Sequence, residues 1–111
     1  MDADRMTLDN AVNAVYRALD QRGALGSLPS DQRLAVYEEM SKRFPGLDWS
    51  TFLGILDIVA ALRRSAYELA DQARETGRSS AEVARELAGR FPGLDHDVLD
   101  RAVGNGFFES R

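Results

Sequence analysis

Asp95-His96-Asp97 is the one run in this chain of 111 residues whose side-chain types suit metal binding or acid–base work. Carboxylates and imidazole are common ligands, but adjacent residues on a helical turn point about 100° apart and cannot easily converge on one ion. Asp95 reads instead as an N-cap, and Asp97 as an acid suited to the positive end of a helix dipole. His96 is the only histidine and cysteine is absent. Thiolate chemistry, disulfides, Cys-based zinc sites and any site built on two imidazoles are thereby excluded. No catalytic residue, metal ligand or cofactor is expected, and the chain does not read as an enzyme. What remains is recognition through apolar surface, for which Trp49, Phe107 and Phe108 are the candidates.

The elements that position these residues follow from an internal repeat. Arg43-Phe44-Pro45-Gly46-Leu47-Asp48 recurs unchanged as Arg90-Phe91-Pro92-Gly93-Leu94-Asp95, an offset of 47. Val36 then aligns with Val83, Glu39 with Glu86, Met40 with Leu87 and Phe52 with Leu99. Upstream the offset becomes 51, pairing Tyr16 with Tyr67 and Gly26 with Gly77, and the difference falls in the loop-like stretch Gly23 to Pro29. A fixed spacing of this kind signals tandem duplication of one supersecondary unit, here of three helices. The expected fold is all-α: five helices in a single helical domain over 1–111. Two pseudo-equivalent three-helix units, about 7–62 and about 65–106, would share a long central helix.

Local signals place the helices. Leu8, Ala11, Val12, Val15 and Leu19 form one stripe of a first helix, about Thr7 to Arg22, which Gly23 and Gly26 stop. Ser30 is the expected N-cap of a second helix, about Asp31 to Arg43, burying Leu34, Tyr37, Met40 and Phe44. Pro45 ends it, because proline disfavours helical geometry in the preceding residue. Gly46 then makes the corner, Leu47 turns inward and Asp48 caps the next helix. No Gly, Pro or loop cluster separates the third helix of the first unit, Trp49 to about Leu62, from the first helix of the second, about Ser65 to Glu75, so one helix of roughly 28 residues is predicted there. Its first half carries two apolar stripes, Phe52-Leu53-Leu56-Val59-Ala60 and Ile55-Ile58-Leu62. It is therefore expected to be the spine between the units or half of a homodimer interface. Asp57 falls on its polar stripe and reads as a solvated acid. Ser79 with Glu82 offers a capping box for the fourth helix. The fifth starts on Asp95 and is expected to stop at Gly104-Asn105-Gly106.

Two known plans are approached by this layout. Three short helices with a tight turn resemble a helix-turn-helix. The residues that would meet phosphates and base edges, however, are Asp95-His96-Asp97-Val98 or Asp48-Trp49-Ser50-Thr51, where Arg, Lys or Asn is needed. Phe44-Pro45 and Phe91-Pro92, each closing a helix, superficially resemble the ubiquitin-binding CUE module, which has Met-Phe-Pro at that point and a Leu-Leu pair on its third helix. Here Arg43 or Arg90 precedes the Phe and no helix follows the fifth. The corner residues Phe44, Pro45, Gly46, Phe91, Pro92 and Gly93 are therefore read as structural.

Composition agrees with a recognition role. With 44% hydrophobic and 29% charged residues the chain can fold around one modest core. A net charge of −4 disfavours general affinity for nucleic acid or anionic membrane. Met1-Asp2-Ala3-Asp4-Arg5 lacks the basic and apolar regions of a secretory signal, and the longest apolar run, Phe52 to Leu62, is too short to span a bilayer. A cytoplasmic protein without membrane association is expected. Lys42 is the only lysine among 14 basic residues, an arginine bias that suggests a GC-rich, bacterial or phage genome. The expected function is a small acidic regulator, adaptor or inhibitor that binds a protein partner. Candidate contacts are Trp49, Phe107, Phe108 and His96; Trp49 either stands exposed or folds back on the Phe44 corner. The alternative is a nucleic-acid-linked role: an acidic DNA mimic, or a helix-turn-helix DNA binder, direct nucleic-acid contact being the less favoured.

Overall fold

A computed structural model describes residues 7–26 and 28–110; the Met1 to Arg5 segment lies outside them. Five helices form: α1 (Leu8–Gln21), α2 (Ser30–Arg43), α3 (Trp49–Thr76), α4 (Ser80–Arg90) and α5 (His96–Glu109). No strand occurs among the described residues, so the fold is all-α. Two compact units divide the chain, one through Ala60 and one from Ala61. The first holds α1, α2 and the start of α3; the second holds the rest of α3 with α4 and α5. None of the described helices is long and apolar enough to cross a membrane.

In the first unit α1 packs on α2. Thr7 caps α1 by accepting the Asn10 N–H at 3.1 Å. Its far end closes through Gly23 at φ +67°, with the Ala24 N–H reaching back to the Leu19 carbonyl at 2.8 Å. A left-handed residue is needed for that closure, which is why glycine stands there. Ala11, Val12, Val15, Tyr16 and Leu19 are buried as a stripe. Leu8, on the same stripe by spacing, is exposed, because it opens the helix a turn before the packed length begins. Asn13, also buried, donates its side-chain amide to the Asp9 carbonyl at 2.8 Å.

The second helix departs from expectation at its start and on its face. Pro29 occupies the cap position and Ser30 is already helical, so its hydroxyl makes no capping bond. The Pro29 carbonyl takes the Gln32 and Arg33 N–H groups at 2.9 and 3.1 Å. Val36, Met40 and Phe44 form the buried line, at steps of four. Leu34 stands 52% exposed; two residues before Val36, it lies about 160° round the helix from that line.

Both Phe-Pro-Gly corners share a backbone form. Phe44 sits at φ −123°, ψ 87° and Phe91 at φ −132°, ψ 72°, the non-helical geometry a following proline imposes. The Leu47 N–H bonds to the Phe44 carbonyl at 2.9 Å and the Leu94 N–H to the Phe91 carbonyl at 3.3 Å. Positive φ occurs at Gly23 and Gly77 but at neither corner glycine. The proline, rather than glycine's conformational freedom, makes the corner.

Asp48 caps α3 as expected, its Oδ1 accepting the Thr51 N–H at 2.7 Å. The helix runs unbroken for 28 residues and ends at Gly77, φ +74°, where the Arg78 N–H returns to the Ala73 carbonyl at 3.1 Å. One stripe is buried instead of the two expected: Phe52, Ile55, Val59, Leu62, Ala66, Leu69 and Ala73, in alternating steps of three and four. Leu53, Leu56 and Ile58 are half-buried. Tyr16 and Tyr67, equivalent by the repeat, do not share a packing role: they are 1% and 42% exposed. The glycine closures of α1 and α3 lie 54 residues apart, which sets Tyr16 level with buried Ala70 rather than with Tyr67.

In the second unit α4 packs on α5. Ser79 and Glu82 form the anticipated capping box, with bonds of 3.2 and 3.1 Å. Asp95 is the N-cap of α5 by position, but its side chain makes no capping hydrogen bond. The predicted stop at Gly104-Asn105-Gly106 is wrong, for α5 continues to Glu109. A Cβ on Gly106 would lie 2.6 Å from the Ala66 carbonyl oxygen, so this glycine permits α5 to approach α3 closely.

Candidate functional site

Trp49 is the first residue of α3, held there by the Phe44-Pro45 corner and the Asp48 cap. Its indole meets the Tyr37 ring edge-on at 5.2 Å and the Phe52 ring at 5.7 Å; Tyr37 and Phe52 are 5.4 Å apart. The Tyr37 hydroxyl donates to the Leu47 carbonyl at 3.1 Å, tying that ring across the corner. Phe52 is wholly buried, whereas Trp49 keeps 41% of its surface exposed. The indole thus packs on Tyr37 and Phe52 instead of folding onto Phe44, and its outer face is free. Each such aromatic pair contributes about 0.5–1.5 kcal/mol beyond area burial, enough to hold the ring in one orientation. Beneath it, the Thr51 backbone N–H and then its hydroxyl hold the Asp48 carboxyl below its ordinary pKa.

The other candidates lie in the second unit. Phe107 is half-buried and lines a furrow of 590 Å³ with Ala81, Ala84, Val103 and Gly104. The Arg74 guanidinium sits 5.6 Å from its ring centroid and also donates to the Phe107 carbonyl. Arg74 Nε donates to Ser110 Oγ at 2.8 Å, and Arg63 pairs with Glu109 at 3.0 Å. Arg74 therefore satisfies a carbonyl at the end of α5, and Arg63, through the Glu109 carboxylate, adds a second positive charge there, where the helix dipole favours it. Sequence reasoning missed Arg74 entirely, since nothing local to it announces a partner 33 residues away. Phe108 is 66% exposed.

His96 stands at the opposite end of α5 from the Phe pair, exposed, with Nε2 3.4 Å from the Asp100 carboxylate one turn on. Asp95, Asp97 and Asp57 are exposed as well. No group of three or more His, Asp or Glu side chains among the described residues is placed to hold a metal ion. At the corners Phe44 is buried and Phe91 half-buried, with Pro45, Gly46 and Pro92 exposed and Gly93 half-buried. The candidate contacts do not converge within either unit: Trp49 is alone among them in the first, and α5 separates His96 from Phe107 and Phe108 in the second. The chain matches no protein-family model, no curated protein and no solved structure.

Proposed function

We propose that the protein is a non-enzymatic binding module, a small acidic regulator, adaptor or inhibitor whose first unit engages a protein partner through Trp49. The observation that carries this reading is an indole fixed by Tyr37 and Phe52 yet 41% exposed. A rigid aromatic of this kind loses little conformational entropy on binding, which is why tryptophan so often anchors interfaces. Direct DNA contact through the first turn of α3 or α5 would set Asp48 or Asp97 against phosphate, so a protein partner fits better.

The tandem duplication belongs to the same proposal. It is supported by the matching backbone at Phe44 and Phe91 and the full burial of both Val36 and Val83. A third support is the pairing of Glu39 with Arg22 and of Glu86 with Arg78, each arginine adjoining the glycine that ends the preceding helix.

The test is a pull-down from source cells after nuclease treatment, at low and high salt, with wild type and Trp49→Ala side by side. The expected result is a protein retained at high salt by wild type and weakened by more than about 1 kcal/mol in the variant, with helicity unchanged. Equal retention by both removes Trp49 from the interface. Loss of all binding under nuclease or salt points instead to a nucleic-acid-linked role.

A further inference from the structure

The two Phe-Pro-Gly corners share their sequence, but only the first is covered. There Tyr37 and Trp49 pack against Phe52, and the Tyr37 hydroxyl reaches across to the Leu47 carbonyl at 3.1 Å. Phe44, Leu47 and Phe52 are all buried beneath them. At the spacing of 47 the two covering rings are replaced by Ala84 and His96. The three residues they would cover, Phe91, Leu94 and Leu99, are only half-buried. The helices leading in have not loosened, since Val83 and Leu87 are as fully buried as Val36 and Met40. A furrow of 590 Å³ runs on from Ala84 between α4 and α5, past Asp100 and Val103 to Phe107. The second corner thus lacks an aromatic lid that the chain itself supplies at the first. Its rim selects the charge of what replaces that lid. On the α5 side Asp95, Asp97 and Asp100 are exposed, while on the α4 side Arg78 and Arg90 both pair with Glu86.

We propose that the second corner is a docking site for a tyrosine side chain of a partner protein, carried in a basic segment. The ring takes the place that Tyr37 takes at the first corner, beside Ala84 and over Leu99, and its hydroxyl donates to the Leu94 carbonyl. A tyrosine covered in this way needs such an acceptor, and Tyr37 finds one at the matching carbonyl. Lysine or arginine on either side of the ring meets the three aspartates. The placing of the ring rests on the duplication proposed above, and the site makes no use of Trp49.

Titrating the isotope-labelled full chain with a pentapeptide, a tyrosine between two pairs of lysines, and following amide NMR signals tests it. The Ala84, Leu94 and Leu99 signals are expected to move, and those of Phe44, Leu47 and Phe52 to stay. Phenylalanine in place of the peptide's tyrosine loses the hydrogen bond and should weaken binding at least about twofold. Alanine there should leave the three signals still. Ala84→Tyr and His96→Trp restore the lid from α4 and from α5, and each is expected to abolish the shifts. Ala84 is half-buried and His96 exposed, so both rings have room, and circular dichroism checks that each variant is folded. A silent second corner, shifts that persist with the alanine peptide, or shifts that persist in both variants overturn the proposal. Truncating Val36 and Val83 tests the duplication separately, so a silent titration counts against the site alone.

Discussion

Gly104 and Gly106 show how far a single residue's meaning depends on what it meets. Both lie inside α5, where glycine is less favourable than alanine by about 0.5–1 kcal/mol. At Gly104 an added Cβ meets open space, whereas at Gly106 it comes within 2.6 Å of the Ala66 carbonyl oxygen, a backbone atom that cannot swing aside. Gly104→Ala should therefore stabilise the protein by about 0.5–1 kcal/mol. Gly106→Ala should destabilise it by about 1–3 kcal/mol as the helices are forced apart. Urea midpoints of the two variants read the opposite signs directly. If Gly106→Ala stabilised the chain, the close approach of α5 to α3 would be wrong. Read alone, Gly-Asn-Gly is a helix stop; the residue that gives Gly106 its purpose is 40 positions earlier. Arg74 is the same case, a surface arginine in sequence and the clasp of α5 in space.

At the scale of the element, what could be read was what is local. The capping box of α4, the Asp48 cap and the proline stops depend on side chains within three or four residues, and all were legible. The face a helix buries depends on its neighbours: Leu34, Leu8 and Tyr67 all carry apolar surface that no helix covers. The aromatic trio joins Tyr37 of α2 to Trp49 and Phe52 of α3, so sequence identified the anchor but not what fixes it. The caps make a prediction about pH. Bonds from the Ser79 N–H and hydroxyl, with nearby Arg78 and Arg85, hold the Glu82 carboxyl below its ordinary pKa. A carboxyl depressed on folding stabilises the native state fully above its unfolded pKa of about 4.3 and loses that contribution as pH falls through the lower folded value. Glu82→Gln can still accept the Ser79 N–H but carries no charge. Its stability deficit should be largest near neutrality and shrink as acid is added, measured by thermal melts from neutral pH downward. A deficit constant with pH would mean the charge contributes nothing at this cap.

At the scale of the molecule, the repeat makes a claim that burial alone cannot settle. A duplicated unit should place equivalent residues in equivalent energetic surroundings wherever the copies have kept their packing. Val36 and Val83 are the sharpest pair, identical in type, 47 positions apart and both at 0% exposure. Truncating either to alanine removes two methyl groups from a filled core and leaves a small cavity, a loss of about 2 kcal/mol. The two losses should agree to within about 0.5 kcal/mol if α2 and α4 are the same element in two settings. Phe44 and Phe91 supply the contrast: the first is fully buried and the second half-buried. Phe44→Ala should cost about 3–5 kcal/mol and Phe91→Ala distinctly less. Denaturant unfolding of the four variants decides between two histories. Equal valines with unequal phenylalanines describe a duplicated core whose corners have since diverged. Unequal valines would mean that the six shared residues are a corner used twice, with two different helices leading into it.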